Sequence, residues 1–143
     1  MKARSSLAVI AYADGASRGN PGPSSFGVVV YDEAGKELHR SSRALGRATN
    51  NQAEYRGAIA ALEAALGLGA SEVELRMDSE LIVRQLSGRY RVKNPGLAPL
   101  YKRILDLRTR FQRVTIVHVP RAQNKLADKL ANEALDRRTE SSP

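Results

Sequence analysis

Two short apolar, β-prone runs at 7–13 and 26–31 are followed by a more polar, alternating segment at 37–45, with the turn Asp32-Glu33-Ala34-Gly35-Lys36 before it. This pattern predicts three strands in meander order. Thr49 with Gln52 three residues on has the form of a capping box, and Tyr55, Ala58, Ile59, Leu62, Ala65 and Leu66 recur at the spacing of one buried helical stripe, closed by Gly67 and Gly69. A fourth strand is expected over 72–77, where Val73, Leu75 and Met77 share a face, and a second helix runs from Asp78-Ser79 to 86. A basic loop at 89–95, a helix over 97–111, a strand over 114–119, a loop at 120–123 and a last helix over 124–138 with Leu126, Leu130 and Ala134 inward complete the chain. The expectation is a single α/β domain over 1–143, with its core at 7–138 and a flexible tail at 139–143. Its order is βββαβααβα: a five-stranded mixed sheet, three antiparallel strands then two parallel, flanked by helices.

Composition narrows the chemistry. There is no cysteine and there are two histidines, His39 and His118, which excludes disulfide frameworks, thiolate zinc sites and cysteine nucleophiles. No apolar run reaches the roughly 20 residues of a membrane span, so a soluble, cytoplasmic protein is expected. The net charge of +8 is carried by one stretch: residues 84–113 hold nine Lys and Arg against the single acid Asp106, and the rest of the chain balances. Such a cluster attracts a polyanion, and guanidinium groups suit phosphate because their planar fork binds two oxygens; the same stretch would also serve as a solvated face that keeps the protein soluble.

Sheets of this kind gather ligands at the carboxyl ends of their parallel strands. Asp14 at the end of strand one, Asp78 at the end of strand four, Glu54 in the first turns of the first long helix and Asp128 one turn into the last helix all point there. Singly, each has a structural explanation as a cap, a turn residue or a solvated acid. Together, four carboxylates repel unless a cation sits among them, and oxygen ligands without His or Cys select Mg²⁺ or Mn²⁺. Two such ions about 4 Å apart hold the attacking and leaving oxygens of an in-line phosphoryl displacement, which is nuclease chemistry.

The segments 12–23 (YADGASRGNPGP), 49–54 (TNNQAE), 77–79 (MDS) and 124–128 (NKLAD) resemble the four active-site motifs of type 1 ribonuclease H, in order and spacing over essentially 7–135. The resemblance implies a ribonuclease H-like fold and an endoribonuclease that cuts the RNA strand of RNA/DNA hybrids, leaving 5′-phosphate and 3′-hydroxyl ends. It implies two Mg²⁺ ions, replaceable by Mn²⁺, held by Asp14, Glu54, Asp78 and Asp128. His118, ten residues before Asp128, matches a mobile-loop histidine that assists proton transfer or product departure. Asn20, Asn50 and Asn51 match positions that meet the hybrid in its minor groove, where the 2′-hydroxyl distinguishes RNA. Arg47 and Thr49 match a pocket for a DNA phosphate, Gly15 a point of close backbone approach, and Ser79 a further substrate contact. The partner expected is an RNA/DNA hybrid, bound by a monomer without a membrane. Two other readings stay open: a nuclease of the same superfold acting on double-stranded RNA or other duplexes, and a non-catalytic nucleic-acid-binding module. Two features depart from the family pattern. Only 88–96 fills the place of an additional helix and basic loop, and Glu80 stands where many members carry Gln.

Overall fold

The computed structural model describes residues 7–88 and 92–141, so Arg89 and Arg91 of the expected basic loop lie outside the described residues. Strands β1 (Ala8–Ser17), β2 (Gly22–Asp32) and β3 (Glu37–Ala48) form the antiparallel meander. Helix α1 (Asn50–Gly67), strand β4 (Glu72–Met77), helices α2 (Glu80–Leu86) and α3 (Ala98–Arg108), strand β5 (Arg113–His118) and helix α4 (Lys125–Ser141) follow. The sheet order is β3-β2-β1-β4-β5, with β4 parallel to both β1 and β5. Among the described residues no helix is long and apolar enough to cross a membrane.

Alternation sorts the sheet into two faces. Val9, Ala11 and Ala13 of β1 and Val73, Leu75 and Met77 of β4 turn to one side, where Tyr55, Ala58, Leu62, Ile82, Leu86, Ile104 and Leu107 of α1, α2 and α3 cover them. Helix α4 covers the other side through Ala127, Leu130, Ala131 and Ala134. Strand β2 is therefore buried on both faces, and at Gly27 the helix lies directly on the strand: a Cβ there would stand 2.3 Å from the Ala127 carbonyl oxygen.

The first hairpin is longer than its apolar pattern suggests. Ladder pairs run on through Asp14↔Gly27, Gly15↔Phe26, Ala16↔Ser25 and Ser17↔Ser24, where small and polar residues hide the strand from a hydrophobicity reading. Asp14 thus lies inside β1 rather than at its end, although the parallel ladder to β4 stops two residues earlier at Tyr12↔Arg76. Helix α3 ends at Arg108 instead of 111, where the Thr109 hydroxyl donates to the Asp106 carbonyl. Helix α4 continues to Ser141, into the stretch expected as a flexible tail. The capping box of α1 forms as expected: Thr49 Oγ1 accepts from the Gln52 amide at 3.1 Å, and Gln52 Oε1 accepts from the Thr49 amide at 2.9 Å. Helix α2 ends at Leu86 and α3 begins at Ala98, with no additional helix among the described residues between them.

Candidate active site

Three elements carry acids to one point. Beyond the parallel ladder, Asp14 projects from β1; Asp78 follows the last residue of β4; Glu54 comes from the second turn of α1, which packs across the end of β1. One carboxylate oxygen from each lies within 4.8 Å of the others. Asp128, one turn into α4, lines the same polar cavity of about 350 Å³. All four expected acids therefore meet in one place.

The close packing of α1 on β1 depends on Gly15. A Cβ at this position would stand 2.4 Å from the Glu54 backbone nitrogen and 2.5 Å from the Ala53 carbonyl carbon. Its amide donates to Glu54 Oε1 at 2.6 Å and fixes that carboxylate. Gly15, expected as a place of nucleic-acid approach, is required here by the protein's own packing.

Asp14 and Glu54 are each only 6% exposed. Burial, then the charges of Glu54 and Asp78, push the Asp14 carboxyl up to about 9 from 3.8. Burial likewise raises Glu54 to about 7 from 4.5, opposed by the Gly15 amide bond that favours the ionised form. Without a cation the pair holds protons that exposed carboxyls would release. A divalent cation among these oxygens would restore the charged forms, and a donor set with neither thiol nor imidazole suits a hard ion. The residues present fit such an ion.

Neighbouring groups hold or extend the cluster. Asn132 Nδ2 donates to the Asp128 backbone oxygen at 2.9 Å and to its Oδ1 at 3.2 Å, and Asn124 Nδ2 donates to Asp78 Oδ2 at 2.9 Å. Arg121, in the short 3₁₀ turn Arg121–Gln123, lines the same cavity. His118 does not line it. His118 is the last residue of β5 and pairs in parallel with Met77, so it shares the core-facing side of Met77, opposite to that of Asp78. There it lines a separate recess with Glu80, Val83, Arg84 and Ser87 of α2 and its cap. His118 thus lies in the strand expected over 114–119, and Arg121 lines the cavity of the acids.

Of the remaining expected residues, Asn50 lines the cavity and the others stand outside it. Asn50 lines its edge, and the Asn50 amide donates to Asn20 Oδ1 at 3.0 Å, joining the β1–β2 loop to the start of α1. Asn51 follows on the same exposed helix start, half-buried. Ser79 caps α2 by accepting from the Ile82 amide at 3.4 Å. Arg47 lines a recess of about 310 Å³ with Arg56, Gln52 and Gly96, while the neighbouring Thr49 spends its Oγ1 acceptor on the α1 cap. Sequence reasoning missed Arg56 and Asn132, and had Asn124 only as the first residue of the fourth motif. The spacing of Asn132 four residues after Asp128 was the available signal for one of them. Glu80 is engaged by the Arg84 guanidinium, one helical turn on.

Comparison with known proteins follows the same lines. The sequence model of a reverse transcriptase-like family matches residues 12–134. The bifunctional protein Rv2228c of Mycobacterium tuberculosis is 49% identical over 136 residues, 94% of this chain and 37% of that protein. Ribonuclease HI of Halobacterium salinarum is 51% identical over 128 residues, 90% of this chain and 64% of that protein. This chain thus spans between about a third and two-thirds of the full length of these relatives. Among solved structures, the N-terminal ribonuclease H domain of Rv2228c superposes with a TM-score of 0.92 at 49% identity, covering 96% of this chain and 100% of that one. LC11-RNase H1, solved in complex with an RNA/DNA hybrid, gives 0.87 at 46% identity, covering 92% and 99%.

Proposed function

We propose that this chain, which belongs to the ribonuclease H family, is an endoribonuclease that hydrolyses the RNA strand of RNA/DNA hybrids. The observation that carries the reading is the convergence of Asp14, Glu54 and Asp78 from three elements within 4.8 Å, with Asp128 in the same cavity. The solved hybrid complex of LC11-RNase H1, a structure of closely similar fold, supports the choice of substrate.

Asp14, Glu54, Asp78 and Asp128 would hold two Mg²⁺ ions, with Mn²⁺ able to replace them. When bound, such ions stabilise the charge that develops on the attacking water and on the departing oxygen of an in-line displacement. The chain's own groups do the rest. Gly15 holds Glu54 and Asn132 holds Asp128, so the carboxylates need little reorganisation. Water gives up a proton to solvent as its oxygen attacks phosphorus, the bond from phosphorus to the 3′-oxygen breaks, and the products carry a 5′-phosphate and a 3′-hydroxyl.

Arg121, which lines the cavity, would neutralise the phosphate in flight, and the 3′-oxygen takes its proton from solvent. His118, expected in this role, is given no part at the phosphate. Asn20 in the β1–β2 loop, Asn50 and Asn51 at the start of α1 and Ser79 at the start of α2 would offer donors and acceptors to 2′-hydroxyls, and the Arg47–Arg56 recess would offer two cations to a phosphate of the DNA strand. All four acids come from one chain, which suits action as a monomer, and the absence of cysteine suits the cytoplasm. Mapping the product ends tests the chemistry. RNA fragments with 5′-phosphate and 3′-hydroxyl ends are expected, whereas 2′,3′-cyclic ends would overturn it, since they require attack by the neighbouring 2′-hydroxyl.

A further inference from the structure

Asn124 precedes α4 at the meeting point of the acid-bearing elements and is only 1% exposed. Both hydrogens of its Nδ2 are used: one goes to the Ala13 carbonyl oxygen at 3.0 Å, beside Asp14, and the other to Asp78 Oδ2 at 2.9 Å. Its own carbonyl accepts from the Asp128 amide at 3.1 Å. One residue therefore ties β1 next to Asp14, the end of β4 at Asp78 and the first turn of α4 at Asp128.

The amide can sit only one way round, because reversing it would set its oxygen against a carboxylate and a carbonyl. In this orientation Oδ1 is buried without a hydrogen-bond partner. An unpaired buried acceptor is costly, and a residue selected for stability alone would avoid it. The side chain is placed for its nitrogen. Aspartate here would add a fifth negative charge, and a hydroxyl carries only one hydrogen for two acceptors.

We infer that Asn124 is a positioning residue: it sets the orientation of the Asp78 carboxylate relative to Asp14 and Asp128, and so the affinity of the cluster for divalent cations. The inference rests on the metal-dependent cleavage proposed above. Groups that orient ligands from behind in this way typically change metal affinity or activity about 10- to 100-fold when removed.

The test is isothermal titration of Mn²⁺ into the full chain, beside hybrid cleavage as a function of Mg²⁺. Asn124→Ala is expected to raise the Mn²⁺ dissociation constant and the Mg²⁺ concentration for half-maximal cleavage by about 10- to 100-fold, with KM for hybrid within about twofold. In an Asp78→Asn background the same change should add nothing further to the dissociation constant, because its path runs through Asp78. An unchanged dissociation constant with only a lower melting temperature would overturn the inference, as would an equal loss in the Asp78→Asn background. Should Asn124→Ala fail to fold, Asn124→Ser takes its place with the same readings. If the unaltered protein leaves hybrid uncut, the cleavage reading falls, and the Mn²⁺ titration still decides the part of Asn124.

Discussion

Replacing Asp14 by Asn should make the metal-free protein more stable while abolishing its chemistry. Asp14 titrates near 3.8 when exposed and is raised to about 9 in the folded chain by burial and by the charges of Glu54 and Asp78. Below pH 3.8 both folded and unfolded chains are protonated and the group costs nothing. Above it the folded chain keeps a proton that the unfolded chain has released, so stability falls with rising pH by about 1.4 kcal/mol per pH unit until the folded group itself ionises near pH 9. From 3.8 to 7 this amounts to roughly 4 kcal/mol, which an asparagine, neutral in both states, does not incur. The assay is urea unfolding with chelator at pH 4, 7 and 9. The two proteins should be nearly equal at pH 4, with Asp14→Asn ahead by up to ~4 kcal/mol at pH 7 and further ahead at pH 9. Glu54, raised to about 7, faces Asp14 and titrates together with it, so the difference between the curves reports the pair. Added Mg²⁺ should narrow the gap, because it binds the unaltered cluster more tightly. A variant less stable than the parent at pH 7, or a difference independent of pH, would refute the reasoning.

Other substitutions separate the parts of the site. Arg121→Ala should lower kcat by about 10²-fold, while His118→Ala stays within about threefold of the parent, measured by single-turnover cleavage at saturating hybrid. Gly15→Ala should cost about 1–3 kcal/mol in urea unfolding and also most of the activity, because the added Cβ drives the start of α1, with Glu54, away from Asp14. Arg47→Ala and Arg56→Ala should each raise KM, leave kcat unchanged and reduce by about one the slope of log affinity against log salt, if the recess holds a phosphate.

Much of this architecture was legible in the chain because its signals were local and agreed. The Thr49–Gln52 capping box, the Tyr55 to Leu66 stripe and the alternation at Val73, Leu75 and Met77 each announce their element, and Glu54, Asp78 and Asp128 sit in the first turns of helices or just past a strand end. What escaped was decided by partners distant in sequence. Residues 14–17 are small and polar, and become strand because they pair with 24–27 of β2, while Gly22 and Pro23 extend β2 by pairing with Ala48 and Arg47 of β3. The need for glycine at 15 comes from the backbone of Ala53 and Glu54, and the side-chain bond of Asn124 from Ala13 and Asp78, neither of which leaves a local trace. His118 illustrates the opposite case. Its spacing to Asp128 matches a motif, while its register beside Met77 sets it in a recess with α2, apart from the cavity that the four acids and Arg121 line.

The central claim is that four carboxylates on one chain make a divalent-metal site that cuts RNA paired with DNA. The most direct measurement is cleavage of end-labelled RNA/DNA, RNA/RNA, DNA/DNA and single-stranded RNA at equal concentrations, with Mg²⁺ or with chelator, beside Asp14→Asn. The account predicts cutting of the RNA strand in the hybrid alone, only with metal, and none by the variant. Cutting that persists in chelator or in Asp14→Asn, or that prefers another duplex, would contradict it.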